Sequence, residues 1–178
     1  MNRCKWCNVN NPLYVEYHDN EWGVLNLDEK CLFELLILES FQAGLSWECV
    51  LNKREFFKEA YDNFDIEKII NYDDEKLEKL MNNKNIIRNK LKIKASINNA
   101  KVFMDIESEF GSFKNYLLGY FKEYPVKEVG KTTSSISDEL SKDLYKRGMR
   151  FVGSTIIYSY LQAIGLINSH DENCDVKM

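Results

Sequence analysis

The sequence has few of the features that mark membrane, secreted or disulfide-bonded proteins. No apolar run approaches the roughly 18 residues that a membrane span needs. The first residues, Met1 to Cys4, lead into a polar segment instead of a signal peptide. Five cysteines are an odd number, which favours thiols or metal ligands over disulfides. We therefore expect a cytoplasmic protein with no membrane partner.

Negative charge slightly exceeds positive charge overall, but positive charge is concentrated in one segment. The formal net charge of −4 over 178 residues argues against a uniformly basic surface for nucleic acid. From Lys79 to Met104, however, the chain has no acidic residue. This segment is either a directional surface for phosphate or an ordinary solvated helix face, and charge alone leaves both open. Its basic residues are Lys79, Lys84, Arg88, Lys90, Lys92, Lys94 and Lys101.

Proline is nearly absent, and sustained alternation of apolar and polar residues is hard to find, whereas helical spacing is common. The sequence predicts an all-α domain over residues 1–178, with a loop over 122–137. A long helix is predicted over 88–109, and Gly148 and Gly165 suit helix ends. The predicted N-caps are Asp28, for a helix to about Phe41, Ser46, for a helix through Phe57, and Asp65, Asp73, Ser112 and Ser137.

Glu39 is the most informative residue, because helical spacing places its carboxylate on the buried side of an apolar run that begins at Leu32. An unpaired buried carboxylate costs on the order of several kcal/mol, so either a lysine or arginine neutralises it or a ligand uses it. Three aromatic residues with polar tips flank it in sequence: Tyr17, Trp22 and Trp47. This combination favours a pocket for a flat, polar-edged and cationic group.

The chain has only two histidines, and each has a cysteine at a spacing typical of metal ligands. Cys4 precedes His18, and His170 precedes Cys174. Two thiolates and two imidazoles would form a closed tetrahedral zinc site of the structural type, which would join the two ends of the chain in one lobe. The alternative is a surface histidine with cysteines that act as small apolar residues.

Cys7 leaves a further question, because Cys4 to Cys7 is a C-x-x-C motif. It could be redox-active or supply an alternative metal ligand, although the βαβ context of a redox motif is absent. Cys31 and Cys49 fall within helical segments and are predicted to be core thiols.

Residues 82–95 follow one predicted helix and lead into a long basic one. A tight turn there would expose main-chain N–H groups near a helix start, which suits phosphate. The pattern resembles a helix-hairpin-helix DNA-binding element, but Asn85 and Leu91 stand where related hairpins often carry glycine. We expect Asn85 to keep the turn, because asparagine tolerates left-handed geometry.

Taken together, the chain resembles the 3-methyladenine DNA glycosylase I family of base-excision repair enzymes, in the helix-hairpin-helix glycosylase superfamily. The resemblance covers nearly the whole chain. It is strongest in three segments in the same order: Tyr14 to Val24 (YVEYHDNEWGV), Leu38 to Trp47 (LESFQAGLSW) and Lys146 to Thr155 (KRGMRFVGST).

The resemblance implies two helical lobes around a cleft, with the helix-hairpin-helix lobe at about 60–110. It implies one structural Zn²⁺ per chain on Cys4, His18, His170 and Cys174, which leaves Cys7 as a bystander. The implied activity is excision of N3-methyladenine from alkylated duplex DNA, without lyase activity, by a protein expected to be monomeric. On this interpretation Glu39 is the catalytic residue, Tyr17, Trp47, Trp6 and Trp22 bind the base, and Lys84, Asn85, Arg88 and Lys90 contact DNA.

Two other functions stay open. A sister glycosylase could use an aspartate to stabilise the sugar cation, although the resemblance supplies none, and the four-cysteine spacing of an iron–sulfur cluster is absent. A zinc-stabilised DNA-binding module without activity would bind DNA in a salt-dependent way and release no base. Such a module gives no reason for a carboxylate beside aromatic residues.

Overall fold

The computed structural model describes residues 1–176, and helices make up 57% of it. The expectation of a mostly helical protein is confirmed. In chain order the helices are α1 (Pro12–Asn20), α2 (Glu29–Gln42), α3 (Trp47–Leu51), α4 (Arg54–Ala60), α5 (Ile66–Ile69), α6 (Asp74–Asn82), α7 (Lys90–Phe110), α8 (Phe113–Leu118), α9 (Ser135–Lys146) and α10 (Ser154–Ala163), with a 3-10 turn at Asp62–Phe64.

A short pair of strands interrupts this pattern. β1 (Val126–Lys127) lies in the predicted loop and runs parallel to β2 (Ile167–Asn168), with Val126 opposite Ile167. The pairing is too short to produce an alternating sequence pattern. None of the helices within residues 1–176 is long and apolar enough to cross a membrane.

Most of the predicted helix starts are confirmed. In each of them the side chain of the predicted N-cap residue accepts a hydrogen bond from a main-chain N–H group in the first turn of the helix. Asp28 accepts from the main-chain N–H of Cys31, and Ser46 accepts from that of Cys49. The other confirmed caps are Asp65, Asp73 and Ser112. Gly148 and Gly165 have φ of 108° and 76°, as helix ends that need a left-handed residue require.

Three boundary predictions were wrong. The helix predicted through Phe57 is divided into α3 and α4, with Asn52 and Lys53 between them. The cap of α9 is Ser134, whose side chain bonds to the N–H of Ser137, while the Ser137 hydroxyl accepts from the N–H of Ser134 at 2.8 Å. α7 begins at Lys90 instead of residue 88, because the Asn89 side chain caps it. For α9 and α7, the actual caps, Ser134 and Asn89, lie within three residues of the predicted starts.

α2 lies at the centre of the molecule. Every residue from Leu32 to Phe41 is buried, as expected of a helix that is covered on all sides. α7, α8 and α10 pack around it. Phe33 and Phe103 join α2 to α7 with ring centroids 5.2 Å apart, and the hydroxyl of Tyr160 donates to the carbonyl of Leu32 at 3.1 Å. Glu39 is therefore placed deep in the protein by its own helix.

The two ends of the described chain lie together. The N–H of Asp175 donates to the carbonyl of Asn2 at 2.9 Å, and the N–H of Lys5 donates to the carboxylate of Asp171 at 2.9 Å. Gly165 approaches the backbone so closely that a Cβ there would lie 2.4 Å from the carbonyl carbon of Val24. The domain bounds of 1–178 and about 60–110 stay predictions, and residues 177 and 178 lie outside the described part.

The third motif of the sequence forms a tight turn held by α7. The side-chain amide of Asn99 donates to the carbonyl of Arg150 at 2.8 Å, and the N–H of Arg150 donates back to Asn99 at 2.9 Å. Phe151 in this turn has a φ of 57°, which is rare for an aromatic residue. This clamp joins the turn before α10 to the helix that follows the basic hairpin.

Candidate active site

A cavity of about 310 Å³ contains Glu39 and the aromatic residues singled out from the sequence. α1, α2, α3 and α10 supply most of its walls, and the segments before and after α1 and the loops before α9 and after β2 complete it. The lining residues are Trp6, Tyr14, Tyr17, Trp22, Glu39, Gln42, Trp47, Gly130, Lys131, Ser159, Gln162, Ser169 and Asp171. This size and mixed lining suit a small planar molecule.

Glu39 is buried and has no cationic partner among the described residues. Its Oε2 atom has no hydrogen-bond partner. The partly buried Arg54 bonds to two other carboxylates, Glu21 and Glu34, each at 2.7 Å. Burial alone raises the pKa of Glu39 well above its usual value. The alternative of an ion pair across the core is therefore wrong, and the carboxyl group faces the cavity uncompensated.

The predicted aromatic residues lie in pairs around the cavity. Tyr17 and Trp47 have ring centroids 5.3 Å apart, and those of Trp6 and Trp22 are 4.7 Å apart. Trp47 begins α3 directly after the turn at Gly44, whose φ of 78° reverses the chain after α2. The indole N–H of Trp47 is buried without a partner. Burial, and then the charge of Glu39, raises the pKa of Tyr17, so its hydroxyl stays protonated.

Gln42 is a lining residue that sequence reasoning missed. It lies three residues after Glu39 on α2, and its Oε1 atom is buried without a hydrogen-bond partner. The spacing of three places the two side chains on the same side of the helix, so the signal was present in the sequence. Ser159, Gln162 and Lys131 come from distant segments, and no local pattern points to them.

The predicted metal ligands meet beside the cavity. Ligand atoms of Cys4, His18 and Cys174 all lie within 4.8 Å of one another. His170 lies next to them, with its ring centroid 5.4 Å from that of His18, and its Nε2 atom is buried without a partner. Cys7 is buried outside this group, with its sulfur 3.8 Å from the carbonyl of Tyr14. The donor types and the unpartnered imidazole nitrogen fit a tetrahedral zinc ion.

A carboxylate orients one of these imidazoles. His18 Nδ1 lies 2.8 Å from the carboxylate of Asp19, which also bonds to Arg3. The hydrogen bond from Arg3 holds the pKa of Asp19 at about 2, so this carboxylate stays ionised. Such an arrangement fixes the Nε2 atom of a histidine as the ligand atom. The rings of Trp22 and His170 lie 4.6 Å apart, so His170 packs against the aromatic wall of the cavity.

The predicted DNA-contacting hairpin lies between α6 and α7. Lys84, Asn85, Arg88 and Lys90 are all exposed there, away from the cavity lining. Asn85 was expected to adopt left-handed geometry, and this is wrong. The turn is held instead by Asn83, whose side chain accepts from the N–H of Asn85 at 3.0 Å, so a left-handed residue is not needed. The side chain of Leu91 is 71% exposed beside it.

The chain is similar to known proteins over nearly its whole length. A family model described as methyladenine glycosylase matches residues 6–178. The chain is 42% identical to DNA-3-methyladenine glycosylase 1 of Escherichia coli (strain K12), over 98% of this chain and 96% of the relative. It is 36% identical to the DNA-3-methyladenine glycosylase of Haemophilus influenzae, over 98% of this chain and 97% of the relative.

Solved structures of 3-methyladenine DNA glycosylases are also similar to this chain. A crystal structure of 3-methyladenine DNA glycosylase I has a TM-score of 0.95 and 40% identity, and the match covers 99% of this chain and all of the other. A structure of the enzyme from Staphylococcus aureus, described as the basis of its 3-methyladenine recognition, has a TM-score of 0.94 and 35% identity. That match covers 100% of this chain and 97% of the other.

Proposed function

This chain belongs to the methyladenine glycosylase family, and from that premise we propose that it excises N3-methyladenine from alkylated duplex DNA by hydrolysing the N-glycosidic bond. The observation that carries the proposal is the unpaired carboxyl group of Glu39 within an aromatic cavity. A buried group of this kind destabilises the fold unless a ligand uses it.

The chemistry of the lesion matches this cavity. Alkylation at N3 gives the adenine a positive charge and weakens its glycosidic bond, so the enzyme needs little acid catalysis. Its task is to extrude the nucleotide and to hold the leaving base in a productive position. A normal adenine brings no charge to Glu39, and its entry leaves the carboxyl group uncompensated. The cavity thus selects the lesion by its charge.

Each lining residue has a role in this proposal. Glu39 pairs with the cationic base and accepts hydrogen bonds from its edge. Trp47 stacks on the base, and Tyr17 adds its hydroxyl as a hydrogen-bond donor. Trp6 and Trp22 complete the aromatic wall. Gln42, with its unpartnered Oε1 atom, is a further acceptor for the exocyclic amino group.

A structural Zn²⁺ ion, held by Cys4, His18, His170 and Cys174, is part of the proposal. When bound, such an ion is closed to substrate and contributes folding free energy. Because the rings of Trp6 and Trp22 pack against His18, and Trp22 also packs against His170, these ligands keep the aromatic wall in place. Loss of the metal would therefore disturb the cavity as well as the termini.

The exposed hairpin supplies the proposed DNA contacts. Lys84, Arg88 and Lys90 are exposed and offer positive charge to the phosphates of DNA. We propose two lobes around the cleft, with the helix-hairpin-helix lobe at about 60–110. We also propose that the protein is a monomer and is located in the cytoplasm.

The deciding experiment incubates the folded, zinc-loaded protein with alkylated duplex DNA and separates the released bases by chromatography. We expect free 3-methyladenine, with the DNA strand left intact at the abasic site until alkali is added. Salt-dependent DNA binding without base release would refute the enzymatic function and favour a DNA-binding module.

A further inference from the structure

Lys131 lies at the opening of the cavity, on the loop between β1 and α9. It is a lining residue of the cavity that holds Glu39, yet 54% of its side-chain surface is exposed. Its ammonium group is therefore near both the cavity and the solvent. Among the described residues that line the cavity, Lys131 is the only cation.

Glu128 holds Lys131 in this position. The ammonium group lies 2.9 Å from Oε1 of Glu128, whose side chain is only 14% exposed. Glu128 is itself fixed, because its main-chain N–H donates to the carbonyl of Asn168 at 3.0 Å. Its second carboxylate oxygen, Oε2, is buried without a hydrogen-bond partner. A largely buried carboxylate thus fixes an exposed cation at the cavity mouth.

Stability does not account for this arrangement. A lysine–glutamate pair with an exposed ammonium group contributes little to folding. The exposure of the ammonium group to solvent further weakens its attraction to Glu128. A lysine that is held at the mouth of a cavity without a benefit to stability is a candidate ligand-binding group.

The position of Lys131 identifies the ligand. A flipped nucleotide enters the cavity base first, so its sugar and phosphates remain at the mouth. Lysine binds phosphate as a point charge, and phosphate contacts fix a protein on its DNA. We propose that Lys131, tethered by Glu128, binds a backbone phosphate of the extruded nucleotide. This proposal rests on the proposed glycosylase function and adds a second anchoring point to it.

The two anchoring points have opposite charges, as do the two ends of the lesion nucleotide. Glu39 meets the cationic base in the cavity, and Lys131 meets the anionic backbone outside it. A lysine deeper in the cavity would oppose the cationic base, whereas one at the mouth favours the correct orientation. The nucleotide is then held at both ends while its glycosidic bond breaks.

The test compares Lys131→Ala and Lys131→Arg with Lys127→Ala. Lys127 is an exposed lysine on β1 that does not line the cavity. Binding is measured on a duplex with one tetrahydrofuran abasic analogue, at several salt concentrations. We expect Lys131→Ala to bind about five- to tenfold more weakly at low salt. In a plot of log affinity against log salt concentration, the negative slope of this variant should be shallower than that of the wild type by about 0.9.

Arginine at 131 should retain most of the affinity, and Lys127→Ala should match the wild type. An unchanged slope in Lys131→Ala would overturn the phosphate contact. The free base 3-methyladenine, followed by tryptophan fluorescence, should bind Lys131→Ala as tightly as the wild type, because it carries no phosphate. Equal losses for base and duplex would instead place Lys131 in the base cavity.

Failure of the proposed function is distinguishable from failure of this inference. A wild-type protein that releases no base would refute the glycosylase activity. The salt slope on the abasic duplex does not depend on catalysis, and it would still report whether Lys131 contacts phosphate.

Discussion

The ammonium group of Lys92 donates a hydrogen bond to the main-chain carbonyl of Phe41 at 2.8 Å, and it also bonds to the carbonyl of Ala43. Only 7% of Lys92 is exposed. A buried cation thus satisfies carbonyl groups at the C-terminus of α2, where the helix dipole is negative. Because α2 carries Glu39 and α7 follows the basic hairpin, this contact joins the cavity to the proposed DNA-binding element.

Replacing Lys92 with methionine removes the donor while keeping most of the side-chain volume. We expect the free energy of unfolding to fall by about 2–4 kcal/mol, since charge-assisted bonds to buried carbonyls are lost. Excision should also slow in single-turnover assays, because the end of α2 is no longer fixed. Lys94→Met, at an exposed position of the same helix, is the matched control. Equal stability of the two variants would remove Lys92 from this role.

Glu39→Gln keeps the shape of the side chain but removes its charge. We expect excision of 3-methyladenine to slow at least tenfold, because about 1.4 kcal/mol of lost attraction to the cationic base corresponds to one factor of ten. Single-turnover kinetics on alkylated duplex measure this loss. Glu16→Gln, an exposed glutamate on α1, should behave like the wild type. Unchanged kinetics in Glu39→Gln would exclude Glu39 from the mechanism.

The raised pKa of Glu39 gives a pH dependence of stability with a defined sign. Below the pKa of the unfolded chain, about 4.3, the carboxyl group is protonated in both states and adds nothing to the pH dependence of stability. As pH rises toward the folded pKa, the unfolded state loses its proton first, so the wild type loses stability. Tyr17 stays neutral over this range, because burial and then Glu39 raise its own pKa.

Urea unfolding of the wild type and of Glu39→Gln, from about pH 4 to pH 8, measures this effect. The variant should gain stability relative to the wild type as pH rises, by no more than about 1.4 kcal/mol per pH unit. A constant difference between the two proteins would mean that Glu39 ionises in the cavity without cost.

Elemental analysis tests the metal. We expect about one zinc per chain in the wild type and in Cys7→Ser, and a loss of zinc with a lower Tm in Cys174→Ser. The two cysteines are both buried, so the comparison controls for the loss of a thiol. A full complement of zinc in Cys174→Ser, together with its loss in Cys7→Ser, would make Cys7 the ligand.

The sequence predicts those features that depend on neighbouring residues. Asp28 and Ser112 cap helices because their side chains reach backbone three residues away, and Glu39 is buried because it lies in the long, mostly apolar run of α2. Helical spacing also explains why the prediction that placed Lys92 on an exposed basic surface was wrong. It shares the buried side of α7 with Ser96, Asn99 and Phe103, which a count of positive charges does not reveal.

Other features depend on segments that are far apart in the chain. Lys131 reaches the cavity only because β1 pairs with β2, and a parallel pair this short leaves no local signal. The grouping of Cys4 with Cys174 was predicted because ligand chemistry limits the candidates. Cysteine and histidine, which have a specific ligand chemistry, thus allowed a long-range contact to be predicted. A lysine in a loop has no such chemistry, so its position was not predicted.

The complete burial of α2 has a consequence for synthesis of the protein. A helix that is buried on all sides finds no stable position until its partners exist, and α7 and α10 leave the ribosome after it. During translation the segment from Leu32 to Phe41 is therefore an exposed, mostly apolar stretch, which favours aggregation until it is covered. The cavity around Glu39 becomes complete only when α10 docks, so a chain that stops before Ser154 would contain every residue of the α2 motif and no binding site.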